Sequence, residues 1–315
     1  MTFNKKVLAV GVLVSMFGLF ALPRPSAAQN RGQYLPGSTG LNSGIMPSPG
    51  LSYTNIFIWF SSDTLKGPTG QTVPVQGSFN LYVDQNLFAY ATKKKFLGAR
   101  FMSVWDLVFA NGSVTSPLFE QAGIKVGGAG LGDMYFQPVT LGWQLNRLDI
   151  MAGYGFVAPT GRYVPGSLTN VGSGYWGNMP FVAATLYLTK NKATQLSVYQ
   201  IYEFHTNKRG SSITPGQTYT LEWGLGQLLP VSKDHTKLLQ VGVVGYAQLQ
   251  TSNDSGYPPQ TPLLGSHYHV YAIGPQISFL LPRNRVSLLF RYEPEFSAQK
   301  RAQGNTMAFT ASYTF

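Results

Sequence analysis

The last nine residues run Met307-Ala308-Phe309-Thr310-Ala311-Ser312-Tyr313-Thr314-Phe315, with apolar or aromatic side chains at odd positions and small or hydroxylic ones at even positions. Side chains alternate across a pleated strand, so this segment has one greasy face and one wet face. The same period recurs along the chain. Twelve runs read as strands: 51–62, 79–92, 96–110, 130–146, 147–159, 177–190, 193–207, 216–230, 237–250, 266–281, 285–299 and 304–315. Connections mostly alternate in length. Long ones fall at 63–78, 111–129, 160–176, 208–215 and 251–265; short ones fall at Lys93-Lys94-Lys95, Asn146-Arg147, Asn191-Lys192, 231–236 and 282–284, with a further short hairpin near Lys300-Arg301. An even number of long, two-faced strands joined this way predicts an all-β fold, a 12-stranded antiparallel transmembrane β-barrel. Most of the segments exceed the ~9–11 residues that a tilted strand needs to cross a bilayer.

Composition supports that reading. Charged residues make up 11% of the chain and aromatics 14%, a charge density too low for an ordinary soluble domain. Beyond the N-terminal region no run of 18 apolar residues occurs, so the low charge does not come from a spanning helix. With no cysteine, disulfides and thiolate metal sites are excluded. The final strand, aromatic last, resembles the closing strand of bacterial outer-membrane barrels. It is the expected signal, 307–315, for a barrel-assembly machinery, and it must pair with the first strand because an open edge in lipid is costly. At the other terminus, Lys5 and Lys6, the apolar run Val7–Leu22 and Ser26-Ala27-Ala28 compose a secretory signal over 1–28. Residues 29–50 are a Gly/Pro-rich N-terminal lead or a partial plug of the bore, and 51–315 form the barrel. The expected location is the Gram-negative outer membrane, with outer-membrane lipid and lipopolysaccharide as surroundings. Net charge is +11, but the cations sit mostly in short turns rather than on one patch, so nucleic acid is not an expected partner.

Strand parity sorts side chains into an outer and an inner set. The inner set collects Asp84, Asp106, Asp133, Asp149, Glu203, Glu222, Glu293 and Glu295, with Arg100 and Arg291 as the main cations. Charge is cheap only away from lipid, so these residues are expected to line the lumen and a solute path, or to brace the wall as a network. Tyr82, Phe88, Tyr90, Met102, Met151, Tyr199 and Tyr246 fall in the same phase and narrow the bore. Strand 130–146 changes phase at Pro138, which predicts a bulge. The loop 160–176 carries Tyr163, Tyr175 and Trp176. They are either interfacial aromatics or a gate folded into the mouth.

Catalytic patterns are weak. None of His205, His235, His267 and His269 begins a His-x-Ser pair, and no Gly-x-Ser-x-Gly elbow is present. His267 and His269 lie two apart, but no nearby carboxylate completes a metal site. No cofactor, no metal and no enzyme activity are expected. Two other classes stay open: an outer-membrane lipid-modifying enzyme, and a structural or adhesive barrel with an occluded lumen.

Several segments resemble a proteobacterial outer-membrane family named for the meta-pathway of phenol degradation. They are Gly130-Leu-Gly-Asp133 with Gln137-Pro138-Val139-Thr140, Gly153-Tyr-Gly-Phe-Val-Ala-Pro159-Thr160-Gly161-Arg-Tyr163, Asn170-Val-Gly172-Ser-Gly174-Tyr-Trp176, and Pro215-Gly216-Gln-Thr-Tyr219. The resemblance covers roughly 40–315. It implies a channel for passive uptake of small hydrophobic or aromatic compounds, and it carries over no agreed binding residues.

Overall fold

The computed structural model describes residues 32–74, 76–256 and 267–315, and the expected signal at 1–28 lies outside the described residues. Twelve long strands build the wall: β1 Gly50–Lys66, β2 Ser78–Phe96, β3 Ala99–Thr115, β4 Met134–Gln144, β5 Leu148–Ala158, β6 Gly177–Tyr187, β7 Thr194–His205, β8 Thr218–Pro230, β9 Leu238–Gln250, β10 His269–Leu281, β11 Val286–Gln299 and β12 Ala302–Thr314. Each is antiparallel to its neighbours in chain order, and β12 returns to β1 with Ser52 opposite Thr314 and Phe57 opposite Phe309. The sheet is therefore closed, and no strand edge faces lipid. Short strands Thr72–Val73 and Ala129–Leu131 and the helix Pro117–Gln121 decorate one end.

The connections alternate as expected. Short turns at 97–98, 145–147, 188–193, 231–237 and 282–285 mark one end of the barrel. Longer loops at 67–77, 116–133, 159–176, 206–217 and 251–268, with the short 300–301, mark the other. The first turn differs from expectation. Lys93, Lys94 and Lys95 belong to a bulged extension of β2, where register shifts between Ala91 and Lys95. The chain reverses instead at Leu97-Gly98, with φ of 50° and 78°. Positive φ at both central residues matches the twist of a two-residue hairpin, and glycine takes it without a Cβ clash. The bulge expected at Pro138 is present: register slips between Phe136 and Val139 against β5, and between Met102 and Val104 against β3.

The outer face is an apolar belt. Trp105, Phe109, Leu225, Val243, Ile273, Ile277, Leu288 and Phe309 are exposed on it. A row of rings crosses neighbouring strands through Phe88, Trp105, Phe136, Phe156 and Trp176, with centroids 6.0, 6.5, 5.4 and 5.9 Å apart. Polar side chains on this face pair with one another, as where the Tyr219 hydroxyl donates to Gln200 Oε1 at 2.8 Å.

Strand β2 corrects the sequence reading. Its even set, Tyr82, Asp84, Asn86, Phe88 and Tyr90, faces outward, while Val83 (3% exposed) and Ala91 (2%) face the bore. Both sets of β2 are largely apolar, so polarity alone does not reveal the phase, and Asp84 points to the wrong face. The cost of a carboxylate there is offset by neighbours on the same outer patch. Asn55 Nδ2 donates to Asp84 Oδ1, and the Tyr53 hydroxyl donates to Asn86 Oδ1 at 2.6 Å.

The belt generates a test. Leu225 is exposed near the middle of β8. Leu225→Arg is expected to lower stability in lipid by about 2–4 kcal/mol, measured by denaturant unfolding from vesicles. Asn191→Arg, in a turn, is expected to change it by less than about 0.5 kcal/mol.

Candidate functional site

The Gly/Pro-rich lead runs inside the barrel. Residues 32–49 enter near the loop end and descend to Gly50, where β1 starts beside the C-terminal Phe315. Buried carboxylates need donors, and this segment supplies its backbone N–H groups. Glu222, 1% exposed, accepts from the Tyr34 hydroxyl at 2.7 Å, from Gly37 N, Thr39 N and Thr39 Oγ1 at 2.9 Å each, and lies 3.8 Å from the Arg291 guanidinium. Arg291 Nη1 in turn donates to the Gly37 carbonyl at 2.7 Å. Higher up, Glu203 accepts from Gln33 N at 2.7 Å and Tyr34 N at 3.2 Å. Lower down, Asn42 bonds to Ser197, Gln240 and Gln195, Gly44 N donates to Thr185 Oγ1 at 3.0 Å, and Arg100 donates to the carbonyls of Met46 and Pro47.

Small residues let the segment lie this close. A Cβ on Gly44 would meet the Thr185 backbone nitrogen at 2.4 Å. On the facing wall Gly224, Gly226 and Gly242 form a socket for Leu41, because a Cβ on any of them would sit 2.8–2.9 Å from its side chain.

The inner wall has two characters. From β7 to β12 it is polar and sealed by the segment: Glu203, Glu222, Gln240, Gln248, Gln276, Arg291, Glu293 and Thr306 are all 2% exposed or less. On β1 to β3 it is mostly apolar, broken by Gln85, Arg100 and Asp106. Ile56, Ile58, Val83 and Ala308 form a cluster with Leu35, Leu81, Leu87, Val108 and Ala110 around it. Leu81, Leu87, Ala89, Val104, Val108 and Ala110 keep accessible surface on this inward face.

The expected site residues divide accordingly. Glu203, Glu222, Arg100 and Arg291 hold the inserted segment. Glu295 accepts from Arg301 Nη2 and the Tyr246 hydroxyl, each at 3.0 Å, and Glu293 lies beside them on β11. Asp149 accepts from the Tyr187 hydroxyl at 2.7 Å near the turn end. Asp106 faces the apolar wall. Asp133 lies in a loop rather than on the wall, where it accepts from Gly161 N at 2.9 Å and from Ser173 N at 2.7 Å and so ties loop 116–133 to loop 159–176. Asp84 is on the outer face. The three loop aromatics also separate. Tyr175 is 1% exposed and points inward onto His205, 5.1 Å between centroids; Trp176 is 48% exposed on the outer face; and Tyr163 lies under the Arg209 guanidinium at 5.9 Å. Because Gly177 opens β6, consecutive residues 175 and 176 take opposite faces. A gate built on both Tyr175 and Trp176 is therefore replaced by one inward tyrosine and one ring in the outer belt.

Residues unforeseen from sequence are the contacts of the inserted segment, Gln33, Tyr34, Thr39, Leu41 and Asn42, and the glutamines that receive it. At the mouth, Lys208 is 5% exposed and its ammonium lies 5.9 Å above the Tyr175 ring. Burial pushes that ammonium down to about 8, and Asp254 partly opposes the shift. His205 places Nδ1 2.9 Å from the Gly216 carbonyl oxygen and Nε2 3.3 Å from Glu203. Among the described residues no group of three His, Cys, Asp or Glu side chains is placed to hold a metal ion.

A family model described as "Putative MetA-pathway of phenol degradation" matches residues 62–311. The chain belongs to this family. No curated protein matches the sequence. Among solved structures, an outer membrane channel from Pseudomonas putida F1 is similar at 13% identity, covering 90% of this chain and 100% of that one, with a TM-score of 0.70. The β domain of the Bordetella autotransporter BrkA shares 12% identity over 85% of this chain and 100% of its own, with a TM-score of 0.49. The CymD monoaromatic hydrocarbon channel shares 8% over 92% and 97%, with a TM-score of 0.42. At these identities the likeness to the Pseudomonas channel is one of fold. Family, closed wall and apolar belt make this an outer-membrane β-barrel, in which the loop end is extracellular and the turn end periplasmic.

Two outcomes test the bore of this family member. Glu222→Ala removes the acceptor of four donors and is expected to weaken docking of residues 32–49 by roughly 3–5 kcal/mol. Limited proteolysis should then cut that segment, and single-channel conductance should rise. The second concerns Lys208, whose folded value lies below the ordinary 10.5. Below about 8 the buried charge costs stability in full; between 8 and 10.5 the folded loop has released its proton and the unfolded one has not. Protection of loop 206–217 from protease is expected to increase over that window, and the increase should vanish in Lys208→Met.

Proposed function

We propose that the protein is an outer-membrane channel for passive uptake of small hydrophobic or aromatic compounds, which pass between the inserted segment and the apolar wall of β1–β3. One observation carries the reading: apart from Gln85, the inward residues that keep accessible surface over 81–89 and 104–110, Leu81, Leu87, Ala89, Val104, Val108 and Ala110, are apolar. The charged wall opposite is already occupied by the chain's own N-terminal segment. An ion or sugar finds no polar row along the free side, whereas an aromatic solute loses little on leaving lipid for such a surface. The family assignment agrees with this solute class.

The lumen charges, expected at first as a solute path, act in this reading as the dock of the inserted segment. Tyr175, sealed beside His205 and Lys208, lines the mouth. Outer-membrane lipid and lipopolysaccharide surround the belt, and strand 307–315 serves the assembly machinery as a recognition element. The barrel with an occluded lumen is the competing reading, and narrowing the free side separates the two.

Val108→Trp places an indole on the corridor wall, at a position that makes no hydrogen bond to the docked segment through its side chain. Uptake of a labelled alkylbenzene by Gram-negative cells carrying the variant is expected to fall at least fivefold against wild type, with the folded band on unheated gels unchanged. Equal uptake by wild type, variant and cells lacking the protein would sink the channel reading.

A further inference from the structure

The apolar corridor contains one polar pair. Asp106 on β3 and Gln85 on β2 both face inward, and Gln85 Nε2 donates to Asp106 Oδ2 at 3.2 Å. Asp106 is 1% exposed. It lies directly opposite Leu87 on one side and Tyr135 on the other, with Val104 and Val108 flanking it two residues away on the same face. The other half of each group is unspent. Asp106 Oδ1 and Gln85 Oε1 are buried and accept no hydrogen bond within the protein. Glu222 and Glu295 differ, because both oxygens of each accept hydrogen bonds; Glu203, Glu293 and Asp149 also carry an unbonded oxygen, but on the docked half or near the turn end. Arg100, the cation of the same strand, gives its guanidinium to the carbonyls of Met46 and Pro47 instead.

Two orphaned acceptors in an apolar wall are costly unless something donates to them. A solute that enters beside them and brings its own donor satisfies them. A purely hydrocarbon solute cannot do so.

Resting on the channel reading above, we propose that Asp106 and Gln85 form a specificity station that takes the hydroxyl of an otherwise apolar solute, so that the channel favours alcohol- and phenol-type molecules over hydrocarbons of the same shape. Geometry selects the donor. Gln85 Nε2 is already engaged, which leaves carboxyl and amide oxygens as the free groups, and these accept. Sites built to hydrogen-bond a hydroxyl discriminate strongly against an analogue lacking it, because their polar atoms are then left unpaired.

The test compares 4-ethylphenol with 4-ethyltoluene, which differ only by hydroxyl against methyl on the same ring position. Uptake is measured in Gram-negative cells with intact lipopolysaccharide that carry wild type, Asp106→Leu, Asp106→Asn or no protein. Wild type should take up the phenol at least fivefold faster, relative to the toluene, than cells without the protein. Asp106→Leu should lose that preference while uptake of 4-ethyltoluene stays the same or rises. Asp106→Asn, which keeps an acceptor oxygen, should restore most of it. Folding of each variant is checked by gel mobility without heating. If Asp106→Leu slows both solutes equally, or leaves the preference intact, the station is wrong and the channel reading survives. If wild type speeds neither solute, both fall together.

Discussion

In hydrocarbon a backbone N–H or C=O has no water to turn to, and the seam between β1 and β12 answers that constraint. Its register runs from Ser52 opposite Thr314 to Leu65 opposite Ala302, so the wall is paired around its full circumference. Everything else follows from closure. A wall without an edge offers solute no lateral gap between paired strands, which leaves the bore as the way through. A bore of this size then needs filling, because side chains alone close a barrel of eight strands but not one of twelve.

The filling is asymmetric for an electrostatic reason. Carboxylates cannot face lipid cheaply, so they turn inward, and once buried they need donors. The N-terminal segment is rich in glycine and poor in charge, so it approaches closely and offers backbone N–H groups. It settles where acceptors are concentrated, on the side of Glu203, Glu222, Gln240 and Gln276. On β1–β3 the wall presents mostly isoleucine, leucine and valine, and Arg100 is the side chain there that bonds to the segment's backbone among the described residues. The result is a bore whose β7–β12 side is hydrogen-bonded to the segment, while the mostly apolar β1–β3 side meets it through Leu35, Met46 and Arg100.

Much of the wall was legible in sequence. Parity is unambiguous in β3, β5, β7, β8 and β11, where one face is polar and the other apolar, and Pro138 announced its own bulge by lacking a donor. In β2 the same rule fails, since Val83, Leu87 and Ala91 inside are as apolar as Tyr82 and Phe88 outside. A single charge, Asp84, then weighs too heavily. The docking of residues 32–49 was hidden for a different reason. Thr39 and Glu222 are 183 residues apart, and neither position hints at the other locally. The split between Tyr175 and Trp176 follows from carrying the alternation of β6 back past its first residue, Gly177, into the preceding loop, where the sequence reading did not extend it.

The two-faced bore is tested most directly by thiol accessibility, which the cysteine-free sequence makes clean. Single cysteines at Leu87 and Val108, on the apolar half, are compared with cysteines at Gln240 and Gln276, on the docked half. Each is exposed to a small neutral methanethiosulfonate in intact membranes. Modification at least tenfold faster at 87 and 108 than at 240 and 276 is predicted. Equal rates at all four positions, or faster reaction at 240 and 276, would contradict the account.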